Sequence, residues 1–254
     1  MKREAERTIE AAREGFDKRL HTDEYKRIHS DAEQLDALIG LFDIKTGKAY
    51  LDIGTGNGYV AFELARREPG VRVFGLDVAA DSIAADSALG VERRIPNIRF
   101  DSYDGHRFPY EDASIFGSSC RYAFHHFPDI GESLRELSRI TEPSGFFVLS
   151  DPSSAEADAA CFIDAFQSLL PDGHQHFYRR SEIESAFREY GFVAERSFDS
   201  RVRYPRKVDS RYLSLLAKTN QAKKDLYRVE LLGDEVFVSV EVMNILFRFE
   251  GPSS

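Results

Sequence analysis

"LDIGTGNGYV", residues 51–60, places glycine at every second position after a short apolar run that carries one acid, Asp52. Gly54, Gly56 and Gly58 let the backbone turn through conformations other residues avoid, and let another group come close to it. A strand, a glycine turn and a helix form the unit that holds nucleotide-like ligands outside the carboxyl ends of a parallel sheet. Amides of the turn and of the helix start are expected to accept a carboxylate or phosphate. The dinucleotide fingerprint asks for glycine at the first, third and sixth positions, and counted from Gly54 the sixth is Tyr59. A P-loop would need Gly-Lys-Ser/Thr, which does not follow. Packing alone stays open as the reason for the glycines.

Outward from this turn a rhythm runs through the chain. The segments 49–53, 71–78, 97–104, 114–120 and 145–151 read as strands. Helices are expected over 59–68, 80–89 and 130–141, the last burying Ile130, Leu134, Leu137 and Ile140. Alternating strands and helices predict a parallel sheet covered on both faces. After Asp151 the rhythm loosens: a helical pattern gathers around Phe162, Phe166 and Leu169, followed by the polar aromatic stretch "PDGHQHFYRR". Ser181 with Glu184 reads as a capping box opening a helix that carries Ile183, Phe187 and Tyr190 and stops at Gly191. Strands are expected at 192–198 and 235–249, with mostly polar helix and loop between them. Ahead of the sheet, Ala5, Ile9, Ala12, Phe16 and Leu20 share one helical stripe, and Leu35, Leu38 and Ile39 lead a second helix toward Phe42.

The whole chain sets bounds on its partners. Its 34 basic and 43 acidic residues leave a net charge of −9, so a nucleic-acid backbone is not the expected general partner. Cys120 and Cys161 are too few and too far apart for a disulfide framework or a metal motif, which fits a reducing compartment. No apolar run reaches membrane-spanning length and the start lacks a signal peptide's apolar segment, so a cytoplasmic, globular protein is expected.

Two further acids fall on the same edge of the sheet as the glycine turn. Asp77 ends the second strand, where a carboxylate can accept both hydroxyls of a ribose. Asp104 and Gly105 follow the third strand, where an acid can take an adenine amino group; each acid alone reads equally well as a strand-end cap. With these residues in place, the chain resembles the class I S-adenosylmethionine-dependent methyltransferases, closely over residues 45–151 and loosely elsewhere. "LDIGTGNG" is similar to that family's first motif, "VFGLD" to its ribose-binding acid, and "YDGHRFPYEDASIF" to its adenine segment. "CRYAFHHFPD" and "LRELSRITEPSGFFVLSDP" resemble the strand, helix and strand that follow in ubiquinone/menaquinone-type C-methyltransferases and their small-molecule relatives.

The resemblance implies a Rossmann-like, doubly wound α/β fold: a seven-stranded sheet ordered 3-2-1-4-5-7-6, its last strand antiparallel, helices on both faces. It divides one domain into a helical lid segment (1–44), a cofactor core (45–151) and a remainder (152–254) with an acceptor-side insert at 152–180 and strands six and seven. S-adenosylmethionine, leaving as S-adenosylhomocysteine, would sit with its methionine part among Asp52, Gly54, Thr55, Gly56, Asn57 and Gly58. Asp77 and Val78 would meet the ribose, and Asp104 and Gly105 the adenine. Cys120, Arg121 and Tyr122 would lie near the sulfonium.

The implied reaction is methylation of carbon or oxygen on a small molecule. The cofactor carries the chemical difficulty, and the protein positions the acceptor and excludes water. His125, His126, His174 and His176 are the candidate catalytic groups, with Tyr178 on the substrate side; helix capping or packing is the alternative for the first pair. His174 and His176 alone do not make a metal site, and none is expected. Tyr25 and His29 are expected to fold over the ligand as a lid, the alternative being simple packing on the sheet. Competing functions are a non-catalytic module or partner subunit that retains the cofactor, and a nicotinamide-dependent oxidoreductase, against which Tyr59 argues. Monomer and homodimer both stay open.

Overall fold

The computed structural model describes residues 2–19 and 31–251. The expectations placed on Leu20, Tyr25, Ile28 and His29, and on the side chain of Phe16, lie outside the described residues.

The first helix, α1, spans Lys2–Arg19 and buries Thr8, Ile9 and Ala12. Helix α2 (Ala32–Ile39) starts at Asp31, whose carboxylate accepts the Gln34 amide at 3.0 Å. Then come β1 (Ala49–Ile53), α3 (Tyr59–Arg67), β2 (Arg72–Asp77), α4 (Ala80–Glu92), β3 (Ile98–Ser102) and β4 (Ile115–Arg121). A 3-10 turn over Phe124–His126 leads to α5 (Ile130–Ile140) and β5 (Thr141–Ser153). The remainder holds α6 (Phe162–Gln167), α7 (Arg180–Glu189), β6 (Phe192–Lys207), α8 (Ser210–Lys218), α9 (Gln221–Leu226), β7 (Glu230–Leu232) and β8 (Glu235–Phe249).

The strands order as β3-β2-β1-β4-β5-β8-β6, with β7 paired only to β8. Strands β1 to β5 run parallel, and β8 runs antiparallel to both β5 and β6. Apart from the three-residue β7, this is the expected order, and the sheet has eight strands rather than seven. Side chains alternate between two cores. Leu51, Ile53, Phe147 and Phe247 face one with α5 and α7, while Tyr50, Phe146, Val148 and Leu246 face the other with α2 and α3. A third core forms where β6 and β8 run on past β5: Val236, Val238 and Val240 pack there on Phe166, Phe177 and Tyr212.

Three expectations are corrected in the second half. Strand β6 continues to Lys207 because it stays paired with β8 for its whole length. Helix α6 ends at Gln167, before Leu169. The capping residue of α7 is Arg179, whose amide donates to Glu182 Oε2 at 2.7 Å; the Ser181 hydroxyl turns instead to Glu156. Gly191 ends that helix as expected, at φ 85°.

Candidate active site

The chain order reverses between β1 and β4, and a cavity opens at their carboxyl ends, where α/β sheets hold ligands. Gly54, Gly56, Asp77, Val78, Tyr103 and Gly105 line one side of it; Arg121, Tyr122, Ala123, His126, Phe127 and Pro128 line the other, and Ile9 and Ala12 of α1 close it.

Glycine is required here by space as well as by dihedral angle. Gly54 sits at φ 66°, and a Cβ on it would lie 2.4 Å from the Cβ of Ala123. Gly105, at φ 90°, would drive a Cβ to 2.7 Å from Ile9 Cδ1. Four amides of the turn, part of the set expected to hold an anion, are engaged within the fold. Those of Gly54 and Thr55 both donate to Leu76 O, at 2.8 and 3.0 Å, and Gly58 donates to Thr55 O at 2.9 Å. Gly56 donates to Asp77 Oδ2 at 2.9 Å. The turn's contribution is bare backbone against which a ligand can lie.

The acids separate by what their oxygens do. Asp77 ends β2 on the cavity wall, where Oδ1 accepts from the Ala79 amide at 3.0 Å. Its oxygens accept the Gly56 and Ala79 amides, and a carboxylate has about four acceptor sites in all. Asp52 lies behind the wall: the Thr55 and Ser119 hydroxyls donate to its two oxygens, each at 2.8 Å. Burial raises its pKa to about 6, against the pull of those hydroxyls. Its role is to pin the turn to β4. Asp104 faces away, its Oδ1 accepting the His106 amide at 2.9 Å and that of Arg107 at 3.1 Å. These bonds hold its carboxyl below the ordinary range. Its neighbour Gly105 is the one that reaches the cavity, with Tyr103, whose hydroxyl burial pushes far up.

Of the other sequence candidates, Arg121, Tyr122 and Val78 line the cavity, while Cys120 points into a core. Thr55 serves Asp52, and Gly58 opens α3 at φ 71°. Asn57 lies in a separate surface groove with Tyr59 and Asp86.

The two histidine sets, far apart in sequence, meet in space. The rings of His125 and His126 are 4.1 Å apart, and that of His174 is 5.5 Å from His125. Amides of Gln175 and His176 donate to the carbonyl of His125, tying the insert to the loop after β4. Asp151, at the end of β5, accepts the His125 amide at 3.1 Å and approaches its Nδ1 at 3.0 Å. Asp164 lies between His174 Nε2 at 2.9 Å and His176 Nδ1 at 2.6 Å. This is a structural clamp, and it accounts for the two-residue spacing of these histidines. Only His126 of the four lines the cavity. Burial drives the pKa of both His125 and His126 down to about 3 and raises that of Asp151 to about 8, so all three favour their neutral forms at neutral pH. Tyr178 packs on Phe124 and His176 instead of lining the cavity.

Sequence reasoning missed Tyr103, Phe127 and the cavity-facing part of α1. The apolar stripe that carries Ile9 and Ala12 was visible, but a stripe looks the same whether it covers a core or a ligand.

Comparison with known proteins agrees with this architecture. A family profile described as a methyltransferase domain matches residues 26–196. The uncharacterized methyltransferase YcgJ of Bacillus subtilis is 28% identical over 164 residues, 64% of either chain. A demethylmenaquinone methyltransferase of Deinococcus radiodurans is 33% identical over 123 residues, 48% of this chain and 51% of that protein. The chain thus matches between about half and two thirds of these curated relatives' lengths. The crystal structure of YcgJ superposes with a TM-score of 0.74 at 22% identity, covering 88% of this chain and all of the other. The chain belongs to the methyltransferase domain family.

Proposed function

We propose that this chain is an S-adenosylmethionine-dependent methyltransferase that methylates carbon or oxygen on a small molecule. The observation that carries this reading is the cavity itself. An acid at the end of β2, bare glycine backbone at Gly54 and Gly56, and a further glycine after β3 share one wall. That wall suits an extended nucleoside with an amino-acid tail: ribose at Asp77 and Val78, adenine at Gly105 and Tyr103, the tail toward Gly54 and Gly56. Asp52 and Thr55 would support the tail's turn from behind.

When bound, the cofactor supplies an electrophilic methyl group on sulfur. The protein's share is to hold the acceptor atom on the far side of that methyl and to keep water out. Tyr122, His126 and Phe127 lie at the end of the cavity beyond β4 and would form the acceptor's wall. An imidazole with a pKa near 3 is a weak base at neutral pH, since general bases work best near the operating pH. We therefore assign His126 to positioning the acceptor rather than to taking a proton from it. His125, His174 and His176 hold His126 and its loop in place. Helix α1 is the part of the 1–44 segment that we assign as a lid: it lies over the cavity, and Arg13 Nε donates to Val78 O at 3.0 Å.

Titration calorimetry with S-adenosylhomocysteine tests the reading; no heat from folded protein rejects it. Enhanced NADH fluorescence without a response to S-adenosylhomocysteine would favour an oxidoreductase instead. The weakness of His126 as a base favours one second reading, a subunit that holds the cofactor without transfer. Sustained formation of S-adenosylhomocysteine with any acceptor removes it.

A further inference from the structure

The engaged amides of the glycine turn leave a question that the cavity answers elsewhere. An amino-acid tail lying along Gly54 and Gly56 carries a carboxylate, and the amides of Gly54, Thr55, Gly56 and Gly58 already have acceptors. A carboxylate taken out of water needs a charged or hydrogen-bonding partner.

Among the described residues that line the cavity, Arg121 is the only lysine or arginine. It follows directly on Cys120, which pairs with Ile53 across β1 and β4, so its backbone lies beside Gly54. The residue is 9% exposed, and its Nη2 is buried with no hydrogen-bond partner among the described residues. Asp52 feels this charge, but its oxygens are taken by Thr55 and Ser119. A buried guanidinium nitrogen without an acceptor is costly, and an anion arriving from the cavity removes that cost.

The guanidinium is also aimed. Its Cζ lies 4.2 Å from the centre of the Tyr122 ring and 5.1 Å from that of Tyr59. Its Nε donates to Gln34 Oε1 at 2.9 Å. Gln34 is fixed in turn, its Nε2 donating to Ser150 Oγ at 2.9 Å and to Asn244 Oδ1 at 3.2 Å. The Ser150 hydroxyl donates to the same Asn244 oxygen at 2.7 Å, and Asn244 Nδ2 donates to Ser200 Oγ at 3.0 Å. A buried chain of polar side chains from α2, β5, β8 and β6 thus settles which way the Gln34 amide faces. It presents its oxygen to Arg121.

We infer that Arg121 is the receptor for the carboxylate on the amino-acid tail of S-adenosylmethionine, through Nη2, and that Gln34 is the residue that positions it. The inference rests on the methyl-donor reading above. It assigns to one side chain the anion recognition that the engaged amides of Gly54, Thr55, Gly56 and Gly58 do not provide.

Calorimetry with two ligands tests it: S-adenosylhomocysteine, and its decarboxylated analogue, the 3-aminopropyl thioether of 5′-deoxyadenosine. The analogue keeps the nucleoside, the sulfur and the amine. Wild-type protein should bind S-adenosylhomocysteine ~10–100-fold more tightly than the analogue, the range of a charge-assisted hydrogen bond. Arg121→Met should lose most of that preference while its affinity for the analogue changes by less than about 3-fold. Gln34→Met should lose part of the preference, raising the KM for S-adenosylmethionine while leaving kcat unchanged. Binding of the analogue reports that each variant is folded, and the wild-type comparison decides alone if Arg121→Met does not fold. A wild type without preference overturns the assignment, as does an Arg121→Met protein that keeps the preference or that, shown by circular dichroism to be folded, loses both ligands equally. A wild type that binds neither ligand overturns the methyl-donor reading, and this inference with it.

Discussion

The carboxyl ends of β1 to β3 and the wall beyond β4 face each other across one cavity and are built in opposite ways. The first wall is mostly backbone: Gly54, Gly56 and Gly105, with the carboxylate of Asp77 as its main polar side chain. The second is side chain: Arg121, Tyr122, His126 and Phe127, backed by Asp151, Asp164 and three more histidines. A wall of backbone recognises a ligand by how closely it can come, so its specificity is fixed by residues that cannot be enlarged. A wall of side chains recognises by charge and shape, and burial selects the neutral form of His125 and His126. The first suits a ligand common to a whole family. The second, beyond Arg121, which we assign to that same ligand, suits one that changes from member to member.

The sharpest way to break this contrast is to put a side chain on the first wall. Gly54→Ala would place a methyl group 2.4 Å from the Cβ of Ala123 at a positive φ. It should cost about 2–4 kcal/mol of stability, read as a lower urea midpoint, and abolish S-adenosylhomocysteine binding. Adding Ala123→Gly should recover part of the stability, because the clash is then relieved while the strained dihedral remains. Next in size is Asp77→Ala, which should weaken S-adenosylhomocysteine binding by on the order of 1–3 kcal/mol in calorimetry. Asp104→Ala should leave it nearly unchanged, since that carboxylate serves the amides of His106 and Arg107. Equal losses from the two would mean that the acids do not divide as their bonding suggests.

On the second wall, His126→Ala should lower methyl transfer about 10-fold by loosening the acceptor, with S-adenosylhomocysteine affinity held within about 3-fold. A matching fall in cofactor affinity would move His126 to the other side of the contrast. The smallest expected effect lies outside the cavity, at Asp86. It is buried, its Oδ2 has no hydrogen-bond partner among the described residues, and burial lifts its pKa to about 7. The folded protein holds this proton more tightly than the unfolded chain does, so stability is lost as pH rises from about 4 toward 7. Asp86→Asn should therefore raise Tm by roughly 2–4 °C at pH 8 and by less at pH 5. A gain that does not depend on pH would remove titration as its cause.

How far the sequence could be read follows the same division. Strands β1 and β8 begin and end where expected, because buried runs bounded by turn residues leave little choice. Strand β6 was legible only at its start: past Phe198 its residues alternate with charges, and what keeps them extended is pairing with β8, a partner some forty residues away. Asp77 and the glycines could be picked out because their chemistry is local. Asp164, which joins His174 to His176, could not, since a single acid in a short helix looks like any solvated residue until the fold brings the histidines to it. Gln34 gave no signal for the same reason: its partners lie 87, 116 and 210 residues along the chain.

Helix α1 touches both walls at once. Ile9 lies against Gly105, while Ala12 and Gly15 lie against Gly173 and Asp172 in the insert that carries His174. If the two walls hold the ligands proposed for them, one rod seated on both surfaces would make them thermodynamically interdependent. Whatever factor the nucleoside contributes to seating the rod, it contributes also to capture of the acceptor, and by reciprocity the acceptor tightens the nucleoside by the same factor. The two ligands would then bind cooperatively without ever touching each other.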